Sequence, residues 1–193
     1  PDDSAIYQYI EGEYMKVEEY QDYILDPSDY FLRHFLPQVA EAFEPFGHFP
    51  HLNDLVGIPL TLMGTFARED TQKKFRRLLA AGKDFARWLK AVISVEQDAL
   101  RLGIPSLSAG FSEAPFDALA DTLRGMKGII MDMYRRPELI HEVLEKIVPI
   151  SISWTLEASK NAVSPVIMMP LHKGDDSFMS PKQYETFYWP TFK

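Results

Sequence analysis

The stretch VIMMPLHKGDDSFMSPKQYETFYWPTF, residues 166–192, contains a strand, a polar loop and a capped helix in that order. Its apolar start, residues 166–171, is typical of a short buried strand. Ser180 as N-cap, Pro181 at the first helical position and Gln183 at the third predict where the helix begins. In α/β proteins the loop after such a strand lies at the carboxyl end of the sheet, where ligands bind. The stretch therefore predicts a ligand site in this loop.

The polar cluster of that loop supplies the first candidate site residues. His172, Asp175 and Asp176 are the predicted catalytic groups, because a histidine beside carboxylates can transfer protons, bind a metal or hold a polar ligand. The alternative for the two aspartates is that they turn the loop and accept hydrogen bonds from nearby amides. Lys173 is a predicted substrate-binding residue. Tyr188, on the helix that follows, is another, with packing of the helix as its alternative role.

A second strand, loop and helix precede this stretch in the chain. Residues 104–109 form a short apolar run that predicts a buried strand. Its exit loop carries Phe111, Ser112 and Glu113, and Pro115 then starts a helix. The three loop residues are predicted to help bind the substrate.

The rest of the chain is predicted to be mostly helical. Residues 1–103 form a helical amino-terminal region with a loop at 46–66, where glycine and proline recur, and residues 104–193 form the β/α part. The longest periodic block, 70–102, has apolar residues at three- and four-residue spacing, which is typical of an amphipathic helix. A solvated helix face accounts for the basic residues in that block.

Two short strands cannot satisfy their own edges in a sheet. A complete (β/α)8 barrel takes eight strands and about 250 residues, whereas this chain has 193 residues. The sequence therefore predicts a helix-dominated α/β fold, the amino-terminal part of a (β/α)8 TIM-type barrel with extra amino-terminal helices. The alternative is a complete helical domain with a minor two-stranded sheet. A fragment of a barrel is expected to expose apolar edges and to form homo-oligomers, which light scattering would measure.

Composition argues against several classes of function. The net charge of −8 disfavours nucleic-acid binding, because phosphate recognition normally needs a basic face. No apolar run approaches the roughly 18 residues of a membrane helix and no signal peptide is visible, so a cytoplasmic protein without a membrane partner is expected. The chain has no cysteine, which excludes disulfides and cysteine-ligated metal within it. His48 and His51 lie in a loop without a third ligand, so no metal site is predicted.

Two segments carry a resemblance to a known family. The first, GFSEAPFDALADTLRGMKGIIMDMYRRPELIHEVLEKI (110–147), resembles the strand-exit loop and following helices of the uroporphyrinogen decarboxylase superfamily. The second, PLHKGDDSFMSPKQYETFYWPTFK (170–193), resembles the element in which a strand of that family leads through a polar loop to a Ser-Pro helix start. The segments cover about a third of the chain. They are most similar to the divergent bacterial branch, which includes corrinoid-dependent methyltransferases.

The resemblance implies a barrel enzyme of tetrapyrrole or corrinoid chemistry that acts on a small-molecule substrate. Decarboxylation of a porphyrinogen, which needs no cofactor, is the first expectation for the full-length protein, and this chain alone is expected to be inactive. The family's arginine-rich Met-Arg-Gln-Ala-Gly-Arg-Tyr element is absent, however. Arg124, Arg135 and Arg136 could meet substrate carboxylates, with solvation at helix ends as the alternative.

A corrinoid-dependent methyltransferase is the first alternative that the resemblance allows. Such an enzyme would need a corrinoid partner protein and a zinc ion held by a His-x-Cys pair and a later cysteine. Because this chain has no cysteine, that zinc site is expected to lie beyond it. A non-catalytic binding domain that kept the fold is the second alternative.

Overall fold

The structure is a computed structural model that describes residues 12–52, 56–106, 108–160, 162, 164 and 166–193. Its contacts divide the chain into two units. Unit 1 combines Pro1–Tyr20 with Ser108–Lys193, and unit 2 is Gln21–Leu107. The domain division predicted between residues 103 and 104 stays a prediction. None of the described helices is both long enough and apolar enough to span a membrane.

The regular elements of unit 2 among its described residues are all helices. Its α-helices are α1 (Tyr20–Leu25, whose first residue belongs to unit 1), α2 (Pro27–Tyr30), α3 (Leu36–Val39), α4 (Ile58–Ala67) and α5 (Glu69–Arg101), with a π-helical segment at Phe31–Phe35 and a 3-10 helix at Glu41–His48. The start of α2 follows from its sequence. Asp26 accepts hydrogen bonds from the amides of Ser28 and Asp29, both at 3.0 Å, and Pro27 needs no acceptor because it has no N–H.

The predicted loop at 46–66 is wrong for much of its length, because α4 covers Ile58–Ala67. Pro59 lies in the first turn of this helix, where a missing N–H leaves no intrahelical hydrogen bond unmade. The sequence prediction counted this proline among the residues that indicate a loop. Residues 53–55 of the predicted loop lie outside the described residues.

The amphipathic helix predicted over 70–102 is confirmed by α5, but much of its apolar face is exposed. Phe85 and Trp88 are each 58% exposed, and Leu89, Val92 and Ile93 are also well exposed. A single helix with such a face is stable when another apolar surface covers it. This surface is of the kind that self-association would bury, and self-association stays a prediction.

Unit 1 contains two strands among its described residues. Its elements after the 3-10 helix Val17–Glu19 are β1 (Gly110–Phe111), α6 (Pro115–Asp117), a π-helical segment (Ala118–Arg124), α7 (Gly125–Arg135), α8 (Pro137–Ser159), β2 (Ile167–Met168), α9 (Pro181–Gln183), a second π-helical segment (Tyr184–Tyr188) and α10 (Trp189–Phe192). The strands pair in parallel, with Gly110 opposite Ile167 and Phe111 opposite Met168. A parallel pair joined by helices is the β/α arrangement that the sequence predicted. The described residues form two strands, which also suits a helical domain with a minor two-stranded sheet, so the partial barrel stays a prediction.

The strand predicted at 104–109 is wrong in its position, because the β ladder begins later, at Gly110. Pro105 has no N–H to donate to a neighbouring strand, so this part of the run cannot complete a ladder. The strand predicted at 166–171 does contain β2.

The core of unit 1 holds the exit loops of both strands in place. Its fully buried side chains include Phe116 and Leu119 after β1, Ile140 and Val143 on α8, and Tyr188 near the carboxyl end. Burying a side chain of this size contributes about 1.5–3 kcal/mol relative to leaving it exposed. The helices that follow β1 and β2 therefore pack on α8 in a fixed arrangement.

The start of α9 confirms the capping residues that the sequence predicted. The Ser180 hydroxyl oxygen accepts from the Gln183 amide at 3.3 Å, and the Gln183 side-chain oxygen accepts from the Ser180 amide at 2.9 Å. Pro181 lies at the first helical position between them. This reciprocal pair fixes the end of the loop that follows β2.

Candidate active site

The carboxyl ends of β1 and β2 carry a group of charged residues that we call the charged cluster. It consists of Glu113, Asp117, Asp121, His172 and Lys173. The first three follow β1 in the exit loop and the helical stretch after it, and the last two follow β2. In β/α proteins, ligands bind at this end of parallel strands.

Asp121 holds the side chains of two neighbouring residues in the second exit loop. The Nδ1 atom of His172 lies 2.7 Å from Asp121 Oδ2, and the Nζ atom of Lys173 lies 3.0 Å from Oδ1. Asp121 is buried, whereas the His172 side chain is 53% exposed. The hydrogen bond that His172 makes to Asp121 raises the pKa of His172, with attraction from Asp117 and Glu113 adding to it and burial opposing it. His172 is therefore a titratable group that solvent can reach.

Asp117 is fully buried and accepts three hydrogen bonds from uncharged donors. These come from the backbone amide of His172 at 2.9 Å, the backbone amide of Lys173 at 3.0 Å and the hydroxyl of Tyr188 at 2.7 Å. Burial raises the pKa of Tyr188 above its ordinary value, and Asp117 raises it further. The hydroxyl therefore stays protonated at neutral pH and remains a donor.

The environment of the Glu113 carboxyl group raises its pKa above the ordinary value. Burial raises its pKa, repulsion from Asp121 and Asp117 raises it further, and His172 opposes the shift. A proton on Glu113 removes one of three neighbouring negative charges. Glu113 and His172 are thus two groups of the cluster whose surroundings favour the protonated form.

A cavity of about 330 Å³ opens beside Glu113. Its polar lining includes Ser112 and Thr155, whose hydroxyls hydrogen-bond to each other at 2.8 Å. Its apolar lining includes Val148, Ile152, Leu156, Met169 and Phe192. The cavity suits a small, mostly apolar group with one polar end directed at Glu113.

The cluster has side chains of the kinds that bind a divalent cation. Donor atoms of Glu113, Asp121 and His172 lie within 4.8 Å of one another, so these three could hold such an ion. In the structure, Asp121 pairs instead with Lys173 and His172. The thiolate zinc site that the sequence resemblance allows does not fit these residues, because the chain has no cysteine.

The carboxylate beside His172 is not one of the two that the sequence predicted. Asp175 is exposed and accepts the amide of Ser177 at 2.7 Å, so it turns the loop. Within the described part of the chain, the hydrogen bonds and ion pairs of His172 include neither Asp175 nor Asp176. The loop-turning alternative describes the geometry of Asp175, and Asp121 takes the place expected for both aspartates.

The other predicted site residues lie close to the cluster, and their roles stay predictions. Lys173 and Glu113 are members of it. Ser112 is buried against Thr155, and Phe111 is half-exposed in β1. Tyr188 is fully buried and supports Asp117, so its described contacts are with the protein.

Sequence reasoning missed Asp117 and Asp121. A usable signal was present, since both lie four residues apart in the helical stretch directly after β1, among residues that form the core. An acidic side chain at a core-facing position must find donors, so it marks a buried polar contact. What the sequence could not supply was the identity of the donors, which lie about fifty residues later.

A second buried network lies in unit 1 around Asp132, and we call it the Asp132 network. Arg124 Nε lies 2.7 Å from Asp132, Arg136 Nη1 lies 3.0 Å away and the Tyr20 hydroxyl lies 2.7 Å away. Arg124 also pairs with Glu13 at 2.6 Å. Solvation at a helix end, the alternative considered for these arginines, is wrong for Arg124, whose side chain is only 2% exposed.

Comparison with known families supports the resemblance that the sequence suggested. A family model described as Uroporphyrinogen decarboxylase (URO-D) matches residues 58–193. This range covers more than half of the chain and includes both segments, 110–147 and 170–193, so the resemblance is confirmed. No curated protein and no solved structure matches the chain.

Proposed function

This chain belongs to the uroporphyrinogen decarboxylase family, and we propose that it is part of an enzyme that decarboxylates a porphyrinogen, with His172 as the proton donor. The family supports the reaction class. The choice of His172 as the proton donor rests on the contact of 2.7 Å between His172 and Asp121. No cofactor is required, since both proton and charge come from side chains.

The proposed chemistry replaces a carboxylate by a hydrogen atom. When an acetate side chain loses carbon dioxide, the electron pair of the broken carbon–carbon bond remains on the methylene carbon and takes up one proton, which yields a methyl group. A general acid that is charged near neutral pH supplies that proton efficiently. Asp121 raises the pKa of His172, and exposure to solvent allows the imidazole to be protonated again.

A porphyrinogen is polyanionic, so its binding requires positive charge. His172 and Lys173 supply positive charge in the charged cluster. Their backbone amides donate to Asp117, and these hydrogen bonds keep both residues at that position. A cavity of about 330 Å³ is large enough for one substituted ring and not for a whole tetrapyrrole. We therefore propose that one ring at a time enters beside Glu113.

The complete protein should convert uroporphyrinogen to less carboxylated products, which chromatography would measure. His172→Asn should lower kcat by about 10²–10⁴-fold, the usual contribution of a positioned general acid. His141→Asn is a matched control, because His141 stacks on Phe187 in the same unit and should leave kcat unchanged. Full activity in His172→Asn would exclude this histidine as the donor.

A corrinoid-dependent methyltransferase is a second candidate, favoured by the charge of the cluster. Among the described residues that form it, three carboxylates face one lysine and one histidine, an arrangement that repels a polyanion. Arg124 and Arg136 pair with Asp132 instead. A methylated corrinoid protein would be the partner, and zinc ligands of the thiolate kind would come from other residues.

One titration separates the candidates. The complete protein is mixed with uroporphyrinogen in one arm and with a methylated corrinoid protein and a thiol, as methyl acceptor, in the other. Loss of carboxyl groups supports the decarboxylase, and loss of the methylcorrinoid absorbance supports the methyltransferase. Binding in either arm without turnover would identify a non-catalytic binding domain and would contradict both enzymatic proposals.

A further inference from the structure

The helical stretch after β1 holds the dipeptide His172–Lys173 through two aspartates four residues apart. Asp117 binds the backbone, since its Oδ2 accepts the amide of His172 and its Oδ1 the amide of Lys173. Asp121 binds the side chains of the same two residues. We infer that Asp117 is the positioning residue for His172, an inference that rests on the proposed proton transfer.

The contacts of Asp117 fix the direction in which the His172 side chain leaves the backbone. The parallel ladder ends at Met168, so it does not orient the residues that follow. Two consecutive amides bound to one buried carboxylate set the plane of the peptide between His172 and Lys173. That plane determines where the imidazole lies relative to Asp121, and a displacement of about 1 Å at a reacting group can cost 10²-fold in rate.

The Asp117 side chain is itself held by Tyr188, whose hydroxyl donates to Oδ2 at 2.7 Å. Tyr188 is fully buried and its ring packs against that of Phe116, next to Asp117 in the chain. The Asp117 carboxylate, carried by α6, is therefore also fixed in place by the π-helical segment Tyr184–Tyr188. It acts through His172, because it is buried beneath the dipeptide.

The stretch that carries both aspartates changes from α-helix to π-helix at Ala118. A π-helical insertion shifts the side chains that follow it around the helix axis, and such insertions are frequent at functional sites. Here Asp117 ends α6 and Asp121 lies within the π-helical segment. Residues four apart lie on the same face of a helix, so both carboxylates reach one dipeptide.

The test compares Asp117→Asn with Asp132→Asn in the complete protein. Asparagine keeps the shape of the side chain, but its amide nitrogen cannot accept a hydrogen bond from a backbone amide. Asp132 is an equally buried control with the same number of donors. Asp117→Asn should lower kcat for decarboxylation by about 10²-fold with little change in KM. Asp132→Asn should leave kcat unchanged at temperatures where it is folded.

A nuclear magnetic resonance titration of the His172 imidazole supplies a readout that general destabilisation does not move. The groups that face this imidazole are Asp121, Asp117 and Glu113, with Lys173 sharing Asp121. Asp117→Asn should lower the pKa of His172 toward 6.5, the ordinary histidine value, whereas Asp132→Asn should not. Equal effects of the two variants on this pKa, or no effect of Asp117→Asn, would overturn the inference.

Hydrogen exchange in the unaltered protein keeps the inference testable if Asp117→Asn does not fold. The amides of His172 and Lys173 should exchange at least about 10²-fold more slowly than those of the exposed residues Asp175 and Asp176. Equal exchange rates would show that Asp117 does not hold the dipeptide. If instead His172→Asn retains activity while Asp117→Asn still lowers the pKa of His172, the proton-donor proposal fails and the structural role of Asp117 stands.

Discussion

Asp117 and Asp132 are two fully buried aspartates of unit 1 whose hydrogen bonds have nearly the same geometry. In each, Oδ2 accepts a tyrosine hydroxyl at 2.7 Å together with a second donor, and Oδ1 accepts a third donor at 3.0 Å. The donors differ in charge. Asp132 binds the guanidinium groups of Arg124 and Arg136, whereas Asp117 binds two backbone amides.

This difference separates a structural network from a candidate site. A buried carboxylate is costly unless charge or several hydrogen bonds compensate it. At Asp132 the arginines provide that compensation, and they tie α7 to the amino-terminal residues of unit 1. At Asp117 neutral donors do so, which leaves the side chains of His172 and Lys173 to pair with Asp121, with that of His172 half-exposed and that of Lys173 mostly buried. Cations in that position can act on a ligand.

The largest effect is expected from removing the charge compensation in the Asp132 network. Arg124→Met should lower the free energy of unfolding by about 3–5 kcal/mol, because it leaves a buried carboxylate without one of its charged partners. Urea unfolding followed by circular dichroism would measure it. Arg135→Met, at an exposed arginine near the end of α7, is the control and should change stability by less than about 0.5 kcal/mol. A cost below about 1 kcal/mol for Arg124→Met would contradict the structural role.

Removing the tyrosine hydroxyl from each aspartate tests how well the remaining donors stabilise the buried carboxylate. Tyr188→Phe and Tyr20→Phe each remove one hydrogen bond to a buried carboxylate, worth about 1.5–3 kcal/mol. Tyr188→Phe should cost more, because Asp117 retains only uncharged donors while Asp132 retains two arginines. The measurement is again urea unfolding. An equal or larger cost for Tyr20→Phe would remove the energetic distinction between the two regions.

Gly174, in the loop after β2, lies so close to Tyr188 that a substitution there tests whether the Tyr188 ring can move. A Cβ atom on Gly174 would lie 2.8 Å from Cζ of Tyr188, and Tyr188 is held by Asp117. Gly174→Ala should therefore destabilise the protein by about 1–3 kcal/mol through overpacking. Gly82→Ala on α5 meets open space and should instead stabilise it by about 1 kcal/mol. Thermal unfolding of both variants would show the opposite signs, and a neutral Gly174→Ala would mean that Tyr188 is not fixed.

Local signals in the sequence predicted the parts of the fold that depend on neighbours in the chain. The cap at Ser180 and the amphipathic helix over 70–102 follow from spacing alone, and the structure has both. The position of the first strand and the helix at Ile58–Ala67 were not predictable in this way. Proline is compatible with a first helical turn as well as with a loop, so tertiary packing decides between them.

The candidate site was predicted only from residues of the two exit loops, and the aspartates of the helical stretch after β1 were missed. His172, Lys173 and Glu113 were identified because charged residues after a strand signal a ligand site. The carboxylate that pairs with His172 was sought in its own loop, at Asp175 and Asp176. Contact across about fifty residues depends on the parallel pairing of β1 and β2, which no local pattern encodes.

The smallest expected effect is a pH dependence of the free energy of unfolding. The charged cluster should contribute such a dependence, and the Asp132 network should not. The pKa of His172 in the folded protein is raised above 6.5, mainly by Asp121. Its ion pair therefore stabilises the fold fully below about pH 6.5 and ceases to do so as the pH rises through the raised pKa. Because His172 is half-exposed, the change should be less than about 1 kcal/mol.

The difference in unfolding free energy between the unaltered protein and His172→Asn isolates this term from the titration of Glu113. That difference should shrink as the pH rises from about 6 to 9, the range in which a histidine with a raised pKa loses its proton. The corresponding difference for Asp132→Asn should be constant over this range. Arginine stays protonated there, and burial raises the pKa of Tyr20 above its ordinary value, with the hydrogen bond to Asp132 adding to the shift. A pH-dependent difference for Asp132→Asn would contradict a purely structural role for the Asp132 network. A constant difference for His172→Asn would contradict a titratable ion pair in the charged cluster.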